Sequence, residues 1–127
     1  MKTGGPSVIW VGPAHSEAYK ALQSAIRKRG LRISMVPAAN RLVDLLKDHV
    51  HPLLVVCDQQ TDQQSRSVVD AVDHLARRVP IFVIVEQSNF SDYYYLMHHG
   101  VKCYYQLSEG PDRISSAVSW AANSSAA

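Results

Sequence analysis

Apolar residues in this chain fall into short blocks whose spacing alternates between that of a strand and that of a helix. Residues 7–11 (SVIWV) form a compact β-rich run that ends at Gly12 and Pro13, two residues that interrupt regular structure. Ser16 then stands where a helix cap is expected, and Gly30 where that helix should stop. The apolar positions of this predicted helix recur every three to four residues: Ala18, Leu22, Ala25 and Ile26.

The same alternation continues along the chain. Further strands are predicted at 31–36, 53–57, 81–85 and 102–107. Helices are predicted after Asn40, after the polar loop 59–64, from Ser91 and from Pro111. Strict alternation implies parallel pairing with right-handed crossovers. We therefore predict an α/β fold, a doubly wound five-stranded parallel sheet of order 2-1-3-4-5 and of the flavodoxin-like (βα)5 type.

Length and charge add limits to this picture. The chain has 127 residues, which suits one domain, predicted at 1–122 with a short tail or linker start at 123–127. Its 13 Lys and Arg against 11 Asp and Glu are too balanced to favour direct nucleic-acid binding. The apolar runs are far shorter than the about 20 residues of a membrane span, and no signal peptide is evident. We predict a cytoplasmic protein without a membrane partner.

The carboxyl ends of the strands are where such a sheet places its working site, between the first and third strands. The residues that the sequence puts there are Gly12, Pro13, Ala14, Asp58, Gln59, Gln60, Glu86 and Leu107. Asp58 is the carboxylate at the end of a central strand. Two interpretations stay open for it: a nucleophile or acceptor held at the edge of the sheet, or an aspartate that caps the following loop.

The predicted crevice lacks the groups that several chemistries need. Phosphate sites with Mg²⁺ usually supply one or two carboxylates, and the end of the first strand supplies none. Glu86 is the other carboxylate near this edge, either a helper for a cation or an exposed loop residue. His98 and His99 would point about 100° apart on a helix, and Cys57 and Cys103 fit no metal spacing. We predict no metal, no cofactor and no enzymatic activity.

Tyrosines are concentrated in the last third of the chain. Tyr93, Tyr94 and Tyr95 are consecutive, and Tyr104 and Tyr105 follow in the predicted fifth strand. Three consecutive tyrosines on a helix cannot all face the core, so at least one should be exposed unless it lies flat over its own helix. Trp120 also lies off the apolar positions of the last helix. The helix from Ser91, the fifth strand and the last helix therefore form a predicted docking face, with Tyr93, Tyr94, Tyr95, Tyr105 and Trp120 as candidate contacts.

Three segments together resemble the receiver domain of response regulators, the CheY-like family, and the resemblance spans residues 7–121. The segment 52–58 (PLLVVCD) is similar to the one that carries the phosphoaccepting aspartate, which falls on Asp58. Residues 80–85 resemble the family's fourth strand, and 99–104 its entry to strand five. The resemblance implies that Tyr104 is the aromatic residue that rotates on activation.

The departures from that family are concentrated in its acidic pocket. The acidic pair that holds Mg²⁺ in the family falls on Gly12 and Pro13. The hydroxyl residue that closes strand four falls on Val85, and the lysine after strand five falls on Leu107. Because aspartyl phosphorylation needs Mg²⁺ and a cation to neutralise the phosphoryl group, Mg²⁺ binding is expected to be weak or absent.

The resemblance therefore implies an atypical, degenerate receiver of a bacterial two-component or phosphorelay pathway. It would act independently of phosphorylation, through a homodimer or a protein partner on the docking face, with a C-terminal output domain in a longer protein as a further candidate. One alternative keeps Asp58 as a working but slow phosphoacceptor helped by Glu86. A second alternative is a small-molecule sensor that uses the crevice between Gly12 and Leu107.

Overall fold

Five parallel strands pair in one sheet, in the order β2-β1-β3-β4-β5. The computed structural model describes residues 7–12, 16–36, 42, 46, 52–58, 64–73 and 79–126. The strands are β1 (Ser7–Val11), β2 (Arg32–Val36), β3 (Pro52–Asp58), β4 (Ile81–Val85) and β5 (Cys103–Gln106). The predicted strand order and parallel pairing are confirmed.

Four helices have described bounds, and they follow the strands as predicted. They are α1 (Glu17–Lys28), α2 (Gln64–Asp73), α3 (Phe90–His98) and α4 (Pro111–Ala126). Between β2 and β3, Leu42 and Leu46 are helical and buried. The rest of the helix predicted after Asn40 lies outside the described residues.

Local capping sets where two of the helices begin. The Ser16 hydroxyl accepts from the Tyr19 backbone N–H at 3.2 Å, so α1 starts where the sequence predicted. In α3 the cap is Asn89, whose Oδ1 accepts from the Asp92 N–H at 3.0 Å. The predicted start at Ser91 was therefore wrong, because the asparagine two residues earlier satisfies the free N–H groups of the first turn.

The core lies on both faces of the sheet, which is why β3 and β4 are apolar throughout. One layer packs alternate strand residues against Leu42, Leu46, α2 and α3, and the other packs the remaining ones against α1 and α4. All five residues of β4 are buried. The prediction that 53–57 and 81–85 are central and covered on both sides is confirmed.

The end of β5 and the end of the chain differ from the sequence-based bounds. β5 begins and ends one residue inside the predicted strand 102–107, and at its carboxyl end Leu107–Glu109 form a 3-10 turn instead. The Glu109 carboxylate secures that turn by accepting from the Gln106 backbone N–H at 2.9 Å. Helix α4 continues to Ala126, past the domain end predicted at residue 122. Within the described residues, no helix has the length and apolar character needed to span a membrane.

Candidate functional site

The carboxyl ends of the strands meet at one edge of the sheet, as the topology requires. In the pairing register Asp58 lies opposite Val85, and Val85 lies opposite Gln106. At the end of β1, the Gly12 N–H donates to the Val36 carbonyl at 2.9 Å. The other residues predicted to line this edge lie outside the described residues: Pro13, Ala14, Gln59 and Gln60.

Gly12 has a backbone conformation that side-chain-bearing residues rarely adopt. Its φ is +117°, and it is buried at the end of β1. Glycine populates positive φ without the steric cost that a Cβ introduces. Gly12 therefore contributes no side-chain functional group to this edge, and its conformation disfavours replacement by aspartate.

Two further positions of the predicted pocket present hydrocarbon. The Val85 side chain is buried in the layer beneath α2 and α3. Leu107 is half-buried and packs against the opposite layer, under α1 and α4. Glu86 is exposed. No group of three or more His, Cys, Asp or Glu side chains is placed to hold a metal ion among the residues the structure describes.

Tyr104 lies beside an open cavity of about 280 Å³ between β5 and the start of α3. Its hydroxyl accepts a hydrogen bond from the Asn89 N–H at 3.3 Å. Its ring meets that of Tyr93 edge-to-face, with centroids 5.3 Å apart. The cavity is lined by Ser88, Asn89, Phe90, Tyr93, Tyr104, Gln106 and Glu109. Tyr104 is thus held by contacts to Asn89 and to Tyr93 of α3.

Helix α3 carries apolar side chains on the side that faces solvent. Phe90 is 78% exposed, Tyr94 56%, Tyr93 41% and Met97 37%. These four residues stand at i, i+3, i+4 and i+7, the spacing of a single helix face, and we call them the α3 stripe. Sequence reasoning identified the two tyrosines but missed Phe90 and Met97. The helical spacing from Phe90 was the signal that would have included them.

The remaining candidate contacts point in different directions. Tyr95 is half-buried and packs toward α2, because the Arg66 guanidinium lies 4.1 Å from its ring centroid. Tyr105 lies on the opposite face of the sheet from Tyr104 and packs beside Phe82, with ring centroids 6.2 Å apart. Trp120 projects from α4 and is 68% exposed. The predicted set is therefore divided between α3, both faces of β5 and α4.

Burial and neighbouring groups shift the pKa of Tyr105. The pKa of Tyr105 is raised above its ordinary value, chiefly because burial disfavours the phenolate. The electrostatic effect of Cys103 and a hydrogen bond between the two side chains raise this pKa further, and so does Glu109. Arg113 acts in the opposite direction. Tyr105 is therefore a neutral phenol near pH 7.

Comparison with known proteins yields structural but no sequence relatives. No protein-family model matches the chain, and no curated protein matches it. A CheY-like receiver domain protein from Methanospirillum hungatei is 6% identical, with a TM-score of 0.73, and the match covers 96% of this chain and 97% of that one. The phosphorylated cyanobacterial phytochrome response regulator RcpA is 14% identical, with a TM-score of 0.71 and 98% of each chain covered.

A third solved structure is of an atypical orphan response regulator, described as having a phosphorylation-independent regulatory mechanism. It is 11% identical to this chain, with a TM-score of 0.68, and 94% of each chain is covered. The matches span nearly the whole chain in each case, and the strand order is that of a doubly wound sheet. The chain has the fold of the CheY-like receiver domains of response regulators.

Proposed function

We propose that this chain is a receiver-like domain of a two-component signalling protein, and that it regulates by protein contact instead of by phosphorylation of Asp58. The observation that carries the proposal is the apolar character of the strand-end edge. Gly12 with its positive φ, buried Val85 and inward-packed Leu107 occupy positions where a working receiver has polar or charged groups.

Phosphorylation of Asp58 would require that the charge of the phosphoryl group be neutralised. Transfer of a phosphoryl group to a carboxylate brings several negative oxygens together, and Mg²⁺ and a lysine ordinarily neutralise them. Glycine has no side chain, and the side chains of valine and leucine can neither bind the metal nor donate to the phosphoryl oxygens. Asp58 would therefore be a poor acceptor, and the domain is proposed to have no enzymatic activity of its own.

The proposed working surface is the aromatic face instead. The α3 stripe exposes aromatic and thioether side chains, and exposed aromatic residues are frequent anchors of protein interfaces. Trp120 adds a large exposed ring on α4. We propose that this face binds a second copy, a partner protein or an output domain of a longer cytoplasmic regulator.

The phosphorylation part of the proposal is tested by NMR with beryllofluoride and Mg²⁺, a stable mimic of an aspartyl phosphate. We expect the amide resonances of Val56, Cys57 and Val85 to stay unchanged in the wild-type chain. Saturable shifts at these positions that disappear in Asp58→Asn would overturn it.

The contact part is tested by sedimentation at increasing protein concentration, alone and with candidate partner domains. Tyr94→Ala should weaken any complex, because Tyr94 is 56% exposed at the centre of the α3 stripe. Met35→Ala is the matched control, since Met35 is 52% exposed on the edge strand β2. Equal weakening by both variants would exclude the α3 stripe as the contact.

The second candidate function is slow phosphorylation of Asp58 with metal help from Glu86. The pairing register supports this second candidate, because Asp58 ends β3 opposite Val85 and Val85 immediately precedes Glu86 in the chain. Incubation with labelled acetyl phosphate and Mg²⁺ or Mn²⁺ decides between the two. Label that is incorporated by the wild type and lost in both Asp58→Asn and Glu86→Gln would establish this candidate.

A further inference from the structure

The cavity beside Tyr104 combines aromatic walls with a single carboxylate. Phe90, Tyr93 and Tyr104 supply the rings, and Glu109 supplies the charge. The other lining side chains, Ser88, Asn89 and Gln106, are neutral, so no cationic side chain contributes to the lining. A site of this composition is attractive to a positive charge, because the faces of aromatic rings carry negative potential.

The start of α3 also borders this cavity, and a helix start ordinarily favours anions. Two of its N–H groups are already engaged. The Asn89 N–H donates to the Tyr104 hydroxyl at 3.3 Å, and the Asp92 N–H donates to the Asn89 side chain at 3.0 Å. The acidic Asp92 in the first turn further offsets the helix dipole. This helix end therefore attracts anions only weakly, and the Glu109 carboxylate makes the cavity attractive to cations.

Glu109 is held in place at the cavity wall. Its Oε2 accepts from the Gln106 N–H at 2.9 Å, which fixes the carboxylate on the turn after β5. Its Oε1 lies 3.5 Å from Nε of Arg113, whose side chain is 72% exposed. Exposed ion pairs of this kind contribute little to stability. A second cation can therefore replace Arg113 at Oε1 at little cost.

The rings of Tyr93 and Tyr104 are already arranged so that a cation can pack on one of them. Tyr93 and Tyr104 are nearly perpendicular, at 80°, with centroids 5.3 Å apart. Edge-to-face rings leave one aromatic face free to cover a cation, and stacking on Tyr or Phe is typical of guanidinium groups. The volume of about 280 Å³ is just below that of the smallest ligand pockets, ~300 Å³, so it suits a single side chain better than a whole small molecule.

We propose that this cavity binds the cationic side chain, arginine or lysine, of the protein partner that docks on the α3 stripe. The inference rests on the proposed protein-contact function and specifies the chemistry of the partner. Phe90 and Tyr93 belong both to the stripe and to the cavity lining, so one docked segment would contact both. The partner's apolar residues would cover the stripe while its cationic side chain pairs with Glu109.

The first test is an NMR titration with Nα-acetyl-arginine amide, which presents the side chain without a partner. We expect saturable shifts at the amides of Tyr93, Tyr104 and Gln106 that weaken as salt is added. Nα-acetyl-citrulline amide, of the same shape but neutral, should give none. Equal shifts from both compounds, or no saturable shift from the arginine compound, would overturn the proposal.

Three substitutions identify the carboxylate. Glu109→Gln should weaken binding of Nα-acetyl-arginine amide by about tenfold, the value of a charge-assisted hydrogen bond. Arg113→Gln should strengthen it by about two- to threefold, because the competing cation is removed. Glu86→Gln is the control, since Glu86 is exposed but does not line the cavity. An unchanged affinity in Glu109→Gln, in a variant with an intact NMR spectrum, would contradict the assignment.

Two further arms separate this inference from its alternatives. Putrescine tests a free amine as the ligand, and binding more than tenfold tighter than that of the arginine compound would rule out a protein side chain as the natural occupant. Tyr94→Ala tests the docking face alone, because Tyr94 is outside the cavity lining. Loss of partner binding in Tyr94→Ala but not in Glu109→Gln would leave the proposed function standing and reject the cationic contact.

Discussion

Arg66 on α2 forms an ion pair with Asp92 on α3, with Nη2 and Oδ1 2.8 Å apart. The same guanidinium lies 4.1 Å from the centroid of the Tyr95 ring, and that ring stacks on His99 with centroids 4.0 Å apart. The two helices that flank the strand-end edge are therefore joined by one side chain. This contact also explains why Tyr95 faces inward while Tyr94 is left exposed.

Replacement of Arg66 by alanine should lower the free energy of unfolding by about 1 kcal/mol, through loss of a partly exposed ion pair and a cation–π contact. Chemical denaturation measures the change. A double-mutant cycle with Asp92→Ala should give a smaller coupling, about 0.5 kcal/mol, because the pair is about one-third exposed on each side. Zero coupling in that cycle would mean that the ion pair contributes nothing to stability.

Gly12→Asp should not create a receiver-like metal site. We expect a loss of about 1–3 kcal/mol in stability, because the substitution forces a side chain into a backbone with φ of +117°. Gly12→Ala should cost a similar amount, since the strain arises at Cβ and not at the carboxylate. Thermal unfolding with and without Mg²⁺ measures both variants. Full stability together with Mg²⁺-dependent stabilisation in Gly12→Asp would contradict this account.

The two tryptophans should differ strongly in their access to solvent. Trp10 is fully buried, and Trp120 is 68% exposed. Acrylamide should therefore quench only part of the fluorescence readily, and Trp120→Phe should remove that part. If the docking face includes α4, complex formation will protect Trp120 from acrylamide. Uniform quenching of both residues in the free protein would be inconsistent with the described burial.

Stability should decline at alkaline pH because of Tyr105. Its pKa is raised in the folded state, first by burial, then by Cys103 and Glu109. The unfolded chain therefore loses this proton first, at its ordinary pKa of about 10. The stabilisation is complete below that pH and is lost as pH rises through the folded-state pKa. Tyr105→Phe should remove this part of the pH dependence.

The source of that shift can be separated by substitution. Cys103→Ala should move the Tyr105 pKa toward its ordinary value, because it removes both the electrostatic effect of Cys103 and its hydrogen bond, while the larger effect of burial remains. The difference in tyrosinate absorbance between each protein and its Tyr105→Phe partner isolates this group. A titration of Tyr105 at or below the pH of free tyrosine would contradict the predicted direction.

The strands of the sheet could be predicted because the residue pattern that specifies each strand lies within that strand. The run 53–57 is apolar at every position, which indicates a strand covered on both faces whatever its neighbours are. The cap at Ser16 and the stop at Gly30 were equally visible, since each acts within one helical turn. Parallel pairing then followed from alternation, and the order 2-1-3-4-5 from the doubly wound fold that suits a chain of this length.

The candidate site was less predictable because its contacts join distant parts of the chain. Which of Tyr93, Tyr94 and Tyr95 faces inward depends on Arg66, which belongs to another helix. Leu107 belongs to the turn that the Glu109 carboxylate secures, and it packs against a layer whose other residues are distant in the chain. A cavity between β5 and α3 likewise has no signature in either segment alone.

The alternation of side chains along edge strand β5 limits the lengths that the preceding loop can have. Tyr104 belongs to one layer and Tyr105 to the other. The hydrogen bond from the Lys102 N–H to the Ile81 carbonyl, 2.9 Å long, fixes the register of β5 and therefore the layer in which each tyrosine lies. Inserting or deleting a single residue before Cys103 would exchange the two tyrosines between layers. Natural variants of this domain should therefore keep the length of the loop at 99–102 constant.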